Sequence, residues 1–223
     1  MYEIKNSKQV ELTDRVRFRC TRCSACCRNV EGTVCIEPKD GYYLAKHLGI
    51  TVPEFYEKYT TMFLLEGIEF PIFTLNTTGK DKACIFLKGK RCSVQDAKPQ
   101  TCRMYPFWIG PDEKGGFEYN FCTERKHHPK GSIVRVKDWM RDNFSDEEKD
   151  FLKEVARSLK EIAPLFNSLC KRADLQDTVL KKVLLYRHFM YETHEPFLKQ
   201  FYRNNRLLKC ELQNMMNLTK STV

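Results

Sequence analysis

The chain has 223 residues, 42% of them hydrophobic, enough to bury the core of one globular domain with a helical annex. Charged residues make up 30% and the formal net charge is +9, spread along the chain rather than gathered in a tail. That diffuse excess reads as a solvated basic surface, so nucleic acid is disfavoured as a partner. No apolar run approaches the roughly 18 residues of a membrane-spanning helix. The N-terminal MYEIKNSKQVELTD has no apolar stretch of the secretory kind, so a cytoplasmic protein is expected. In a reducing compartment, 11 cysteines point to metal binding or redox chemistry before disulfides.

Residues 1–17 read as an extended lead-in, with Val10, Leu12, Val16 and Phe18 on even positions as in a short strand. A cysteine-rich knuckle follows, and Cys35 to Pro38 ends that loop. Asp40 to Leu48 reads as a helix closed by Gly49. Thr51 and Glu54 make a capping box for a second helix, with Pro53 in its first turn and Phe55, Tyr59 and Met62 on its apolar side. Residues 68–75 read as a strand, placed at an edge by Pro71. Ala83 to Leu87 is a further short strand that turns at Lys88, Gly89 and Lys90 into residues 91–94. Phe117 to Cys122 reads as the last strand, able to pair with residues 104–109.

From Ser145 the pattern becomes helical. Ser145 and Glu148 form a capping box, and Phe151, Leu152, Val155, Ala156, Leu159, Ile162 and Ala163 recur at helical spacing until Pro164 breaks or kinks the run. A second helix is predicted over 174–192 and a third after Pro196, with residues 212–223 frayed. The expected architecture is α+β: a small irregular β core tied by a cysteine metal cluster over residues 1–144, and a C-terminal helical subdomain over 145–223 packed on it.

The chemistry concentrates in the cysteines. Thiolates hold zinc tetrahedrally or carry iron–sulfur clusters, and two-residue gaps let successive thiolates converge on one centre. Cys20, Cys23 and Cys26 have those gaps in series, like the first three ligands of a ferredoxin-type 4Fe–4S run. Adjacent Cys27 strains a single-site reading, because neighbouring residues rarely aim both side chains at one small ion. Cys84, Cys92, Cys102 and Cys122 bring the set to eight thiols. One iron–sulfur cluster with spare ligands, two clusters, and two structural zincs all remain open. Cys35 is evenly balanced between ligand and bystander. Cys170 and Cys210 lie on helical segments and read as small buried hydrophobes. His127 and His128 follow Cys122 and read as a solvated pair.

The CxxCxxCC run, then Cys84-Ile85-Phe86-Leu87 with Cys92, then Pro99-Gln100-Thr101-Cys102-Arg103-Met104-Tyr105-Pro106-Phe107 resemble the CxxCxxCC cysteine-cluster (YkgJ-type) proteins, a zinc- or iron-chelating family that includes flagellin lysine-N-methylases. The helical segment Asp40 to Tyr59 is similar to that family's insert between cysteine blocks. Lys98 stands where the family usually has Arg. The resemblance covers about residues 18–122 and implies Cys20, Cys23, Cys26, Cys27, Cys84, Cys92 and Cys102 as ligands. Cys122 is added from the present reading of the chain. Arg103, inside the third block, is a candidate for donating hydrogen bonds to a cofactor's sulfurs.

The implied cofactor is an iron–sulfur cluster, with zinc as the other choice. A lysine N-methylase-like reaction would add S-adenosylmethionine, yet none of the glycines forms the G-x-G of a doubly wound methyltransferase domain. His194-Glu195 lacks the second His of HExxH. The competing readings are a zinc-stapled interaction module without catalysis and an electron-transfer or iron-sensing protein. No residue names a protein partner or substrate.

Overall fold

A computed structural model describes residues 7–65, 70–112, 114–123 and 132–220, with the side chains of Leu65 and Lys220 left aside. The predicted histidine pair His127-His128, and residues 68 and 69 of the predicted strand, lie outside the described residues. The observed fold is α+β, with small antiparallel sheets and long helices at the C-terminal end. Contacts group the chain into two compact units, residues 1–24 with 100–156 and residues 25–99 with 157–223.

Unit 1 is built on a three-stranded antiparallel sheet. Strands β1 (Ser7–Val10) and β9 (Phe107–Pro111) flank β10 (Phe117–Cys122), with Val10 opposite Tyr119 and Phe107 opposite Phe121. The β9–β10 pairing follows the alternation in the sequence. β1 on the other edge falls within the lead-in that reads as extended, although SKQV carries one apolar residue. A second pairing joins β2 (Arg15–Arg17) to β11 (Ile133–Arg135), so Phe117–Cys122 is not the last strand. Only three residues form β11, and such a short run carries no legible period.

The helix α4 (Val136–Asn143) follows directly, and its buried Val136 and Met140 join Val10, Met104, Phe107 and Phe144 in the core of this unit. Fully burying such a side chain contributes about 1.5–3 kcal/mol. Cys102 lies on the short α3 (Gln100–Met104).

In unit 2 the helix α1 (Pro38–Leu48) ends at Gly49, whose left-handed φ of 69° lets its N–H turn back onto the last carbonyls. Gly41 lies under a tyrosine: a Cβ there would come within 2.6 Å of the Tyr56 hydroxyl. The predicted capping box holds in α2 (Val52–Tyr59), with Thr51 Oγ1 accepting from the Glu54 N–H at 3.3 Å and Glu54 accepting from the Thr51 N–H at 2.9 Å.

Met62 does not continue this helix. The Thr60 hydroxyl donates to the Tyr56 carbonyl at 2.6 Å, the β-branched Thr60 and Thr61 turn extended, and Met62 lies exposed on strand β3 (Thr60–Leu65). β3 pairs with β4 (Phe70–Leu75), with Pro71 opposite Leu64 in this two-stranded sheet. Two tight pairings follow: β5 (Thr77–Thr78) with β6 (Ala83–Cys84), and β7 (Leu87–Lys88) with β8 (Arg91–Cys92) around Gly89 at φ 61°.

The long helix α5 (Asp146–Cys170) contributes its start to unit 1 and the rest to unit 2. It runs through Pro164 without the break that is one of the two expected outcomes. The proline is exposed and costs one backbone bond, while Ile162, Phe166 and Leu169 bury the opposite stripe. The predicted helix over 174–192 is α6 (Ala173–Leu184) followed by a wider, π-type turn over Leu185–Phe189. Helix α7 (Phe197–Lys220) does not fray at 212: Leu208 and Leu212 are fully buried with Val179, Val183 and Phe166, which holds the last turns in place.

Candidate metal centre

Eight candidate ligands divide evenly between the units. Cys20, Cys23, Cys102 and Cys122 belong to unit 1, and Cys26, Cys27, Cys84 and Cys92 to unit 2. No cysteine is in a disulfide among the described residues. Cys20, Cys23 and Cys26 are exposed, Cys27, Cys92, Cys102 and Cys122 are half-buried, and Cys84 is buried.

In unit 1 an aromatic anchor precedes the first ligand. Phe18 is buried, its N–H donates to the Ser132 carbonyl at 3.0 Å, and its ring meets the edges of Tyr105 (6.2 Å) and Trp139 (5.3 Å). Trp139 Nε1 donates to the Met104 carbonyl at 3.3 Å, and the Cys122 N–H donates to the Pro106 carbonyl at 2.8 Å. The backbone leading to Cys20, the residues just after Cys102, and Cys122 itself are thus tied into one cluster. Arg22 and Ser24 adopt left-handed φ of 53° and 58°, a conformation uncommon for residues other than glycine.

Arg103 pairs with Glu148, whose other oxygen caps α5 through Ser145. This pairing is what the structure reports for Arg103.

In unit 2 the ligands ride on turns clamped by hydrogen bonds. A short 3-10 turn, Ala25–Cys27, carries the adjacent cysteines. Beyond it, the Asn29 N–H donates to the Asp81 carbonyl at 2.8 Å and the Val30 N–H to the Lys82 carbonyl at 3.1 Å. Arg28 pairs with the Asp81 carboxylate and reaches the Gly89 carbonyl at 3.5 Å. Lys82 bonds Glu31 at 2.8 Å.

The segment after the adjacent cysteines therefore lies against the turns that carry Cys84, opposite Thr77, and Cys92, opposite Leu87. Phe86, between them in sequence, is buried and stacks on Tyr59 at 5.0 Å, fixing this hairpin to α2. Sequence reasoning missed the Arg28 clamp. Its only trace is a cation just after the adjacent cysteines and an acid three residues before Cys84.

The Cys26 and Cys27 sulfurs are 3.9 Å apart. Two thiolates on one tetrahedral zinc, each at about 2.3 Å, stand about 3.8 Å apart. Burial pushes the Cys84 thiol above its ordinary range. A backbone hydrogen bond from Phe86 opposes that, and the charges of Cys92 and Cys26 add to it. Thiolates so grouped destabilise one another until a cation is bound. Among the described residues no three His, Cys, Asp or Glu side chains already stand at metal-holding spacing, so closing a site takes movement of the side chains themselves.

The remaining cysteines behave differently from one another. The Cys35 backbone bridges to Thr74, and although the residue as a whole is exposed, partial desolvation of its thiol, then the charges of Glu37 and Asp40, push the thiol up. Cys170 packs against the helical cluster as expected. Cys210 does not: it is exposed, because its face of α7 points outward between the buried Leu208 and Leu212. Among the described residues, no helix is long and apolar enough to cross a membrane.

The profile of one known family, CxxCxxCC, described as "Putative zinc- or iron-chelating domain", matches residues 19–151. No solved structure matches the chain.

Proposed function

The chain belongs to the CxxCxxCC family of zinc- or iron-chelating domains, and from that premise we propose a metal-binding protein of the cytoplasm that uses Cys20, Cys23, Cys26, Cys27, Cys84, Cys92, Cys102 and Cys122 as thiolate ligands. The observation that carries this reading is the docking of the segment after Cys26 and Cys27 onto the turns of Cys84 and Cys92. Soft thiolate donors suit zinc or iron rather than magnesium or calcium. Bound metal would supply folding energy and hold otherwise irregular turns together. The 3.9 Å separation of the Cys26 and Cys27 sulfurs suits one ion better than a cubane, where each iron takes a single outward-pointing cysteine.

An iron–sulfur cluster is the second reading, favoured by the CxxCxxC spacing of Cys20, Cys23 and Cys26. Only in that reading does an enzyme follow, a lysine N-methylase-like activity using S-adenosylmethionine, with Arg103 beside the cofactor. Anaerobic purification with metal analysis separates the two. A colourless protein with tightly held zinc supports the stapled module and removes the methylase and redox readings. A brown protein with a broad band at the visible–ultraviolet edge supports the cluster, and a change in that band on adding S-adenosylmethionine supports the methylase. Protein free of both metals, after growth with each supplied, overturns the proposal.

A further inference from the structure

The eight cysteines need not serve one centre. We infer that they form two separate four-thiolate centres, one per unit: Cys26, Cys27, Cys84 and Cys92 around one ion, and Cys20, Cys23, Cys102 and Cys122 around another. This rests on the metal-binding reading above and assigns its stoichiometry and ligand sets.

Three observations support the partition. First, the division between the units falls between Ser24 and Ala25, inside the CxxCxxCC run, leaving four candidate ligands in each. A tetrahedral thiolate site takes four.

Second, unit 2 has its own scaffold for convergence. Asn29, Val30 and Arg28 bind Asp81, Lys82 and Gly89, so the turn holding Cys26 and Cys27 is joined to the hairpins of Cys84 and Cys92 by bonds within the unit. The 3.9 Å between the Cys26 and Cys27 sulfurs is close to the edge, about 3.8 Å, of one zinc–thiolate tetrahedron.

Third, unit 1 has a different scaffold that serves the other four. Phe18, two residues before Cys20, packs on Tyr105, three residues after Cys102, and Pro106 accepts from the Cys122 N–H. Nothing in that set of bonds involves Cys84 or Cys92. The left-handed residues Arg22 and Ser24 lie between Cys20 and Cys26, in the stretch where the chain passes from one unit to the other. Adjacent Cys26 and Cys27 fall in one set, and Cys20 and Cys23 in the other.

The test uses the full chain and cobalt(II) as the probe, since tetrathiolate cobalt absorbs in the visible in proportion to the number of filled sites. Metal-free protein should take up two equivalents. Cys26→Ser, Cys84→Ser and the pair together should each halve the signal, because they remove the same centre. Cys20→Ser, Cys102→Ser and their pair should halve it likewise. Cys84→Ser combined with Cys102→Ser should abolish it.

Saturation of the unaltered protein at one equivalent overturns the two-centre inference while leaving the metal-binding reading intact. So does complete loss in the Cys26→Ser, Cys84→Ser pair with circular dichroism unchanged. No cobalt, zinc or iron uptake at all overturns both. The inference stays testable if the variants misfold, because stoichiometry and alkylation are read on the unaltered protein. Stepwise chelation should expose Cys26, Cys27, Cys84 and Cys92 together in one step, and the other four in another. Exposure of all eight in one step overturns the partition.

Discussion

The two units present the same number of candidate thiolates on different kinds of support. In unit 1, Cys102 and Cys122 extend from elements that also feed an apolar core: Met104 and Phe107 are buried just beyond Cys102, and Cys122 closes the central strand β10. In unit 2, Cys26, Cys27, Cys84 and Cys92 sit on a 3-10 turn and two-residue strands held by backbone bonds, the ion pairs of Arg28 with Asp81 and Lys82 with Glu31, and the buried ring of Phe86. The helical core of unit 2, around Phe166, Val183 and Leu208, contains none of these residues. Apolar burial is independent of metal, whereas short turns gain little from it. Metal should therefore matter locally in unit 2 and act in unit 1 on a scaffold that partly stands without it.

The largest effect expected is from removing metal. Chelation should lower the melting temperature and raise hydrogen exchange most over residues 25–35 and 79–93, with β9 and β10 keeping more of their protection. Equal loss of protection in both regions would break the comparison. Next, Cys26→Ala and Cys102→Ala should each lower bound metal and destabilise the fold, and Cys170→Ala should leave bound metal unchanged. Full metal retention in Cys102→Ala would remove that residue from the ligand set.

Third, Glu148→Ala strips both the Arg103 pair and the Ser145 cap from a side chain that is 4% exposed. About 2–3 kcal/mol of stability should go, measured by urea unfolding. This tests whether unit 1 stands on contacts other than metal. If metal is then retained while stability falls, scaffold and site are separable there.

Fourth, His188 in unit 2 is buried against Tyr56, whose hydroxyl lies 3.1 Å from Nδ1, and against Phe73, with Arg187 next to it in sequence. Burial, and then the Arg187 charge, hold its pKa well below the ordinary value. The unfolded chain binds a proton near pH 6.5 that the folded chain refuses. The stability from neutral His188 is thus complete above that pH and declines as pH falls toward the folded value. Measured on metal-free protein, where thiolate protonation plays no part, His188→Gln should flatten this slope; an unchanged slope would sink the assignment. The smallest effect is Thr51→Ala, which removes the N-cap of α2 and should cost about 1 kcal/mol without changing bound metal.

Much of the local structure was legible because its causes are local. Thr51 and Glu54 announced a helix start, Gly49 a helix end, and Ser145 with Glu148 another start, since each signal depends on residues within one turn. The β9–β10 pair was legible from alternation. Strand β11 was not, because its stability comes from its partner β2, far along the chain, rather than from its own composition. Pro164 and the last turns of α7 were misread for the same reason: burial of Phe166 and Leu212 outweighs a local penalty.

The candidate ligands follow a like division. Cysteine identity and two-residue spacing are properties of the sequence alone, since thiolate chemistry needs no context to be recognised, and these by themselves determined that the chain carries a metal-chelating motif. How the knuckle is shared out was decided only by tertiary structure. The run passes from one unit to the other between Ser24 and Ala25, and Arg28, Asn29 and Val30 carry Cys26 and Cys27 onto residues more than fifty positions away. Spacing within a run sets which thiolates can reach one ion. Which remote thiolates meet them depends on long-range backbone bonds that no window of sequence contains.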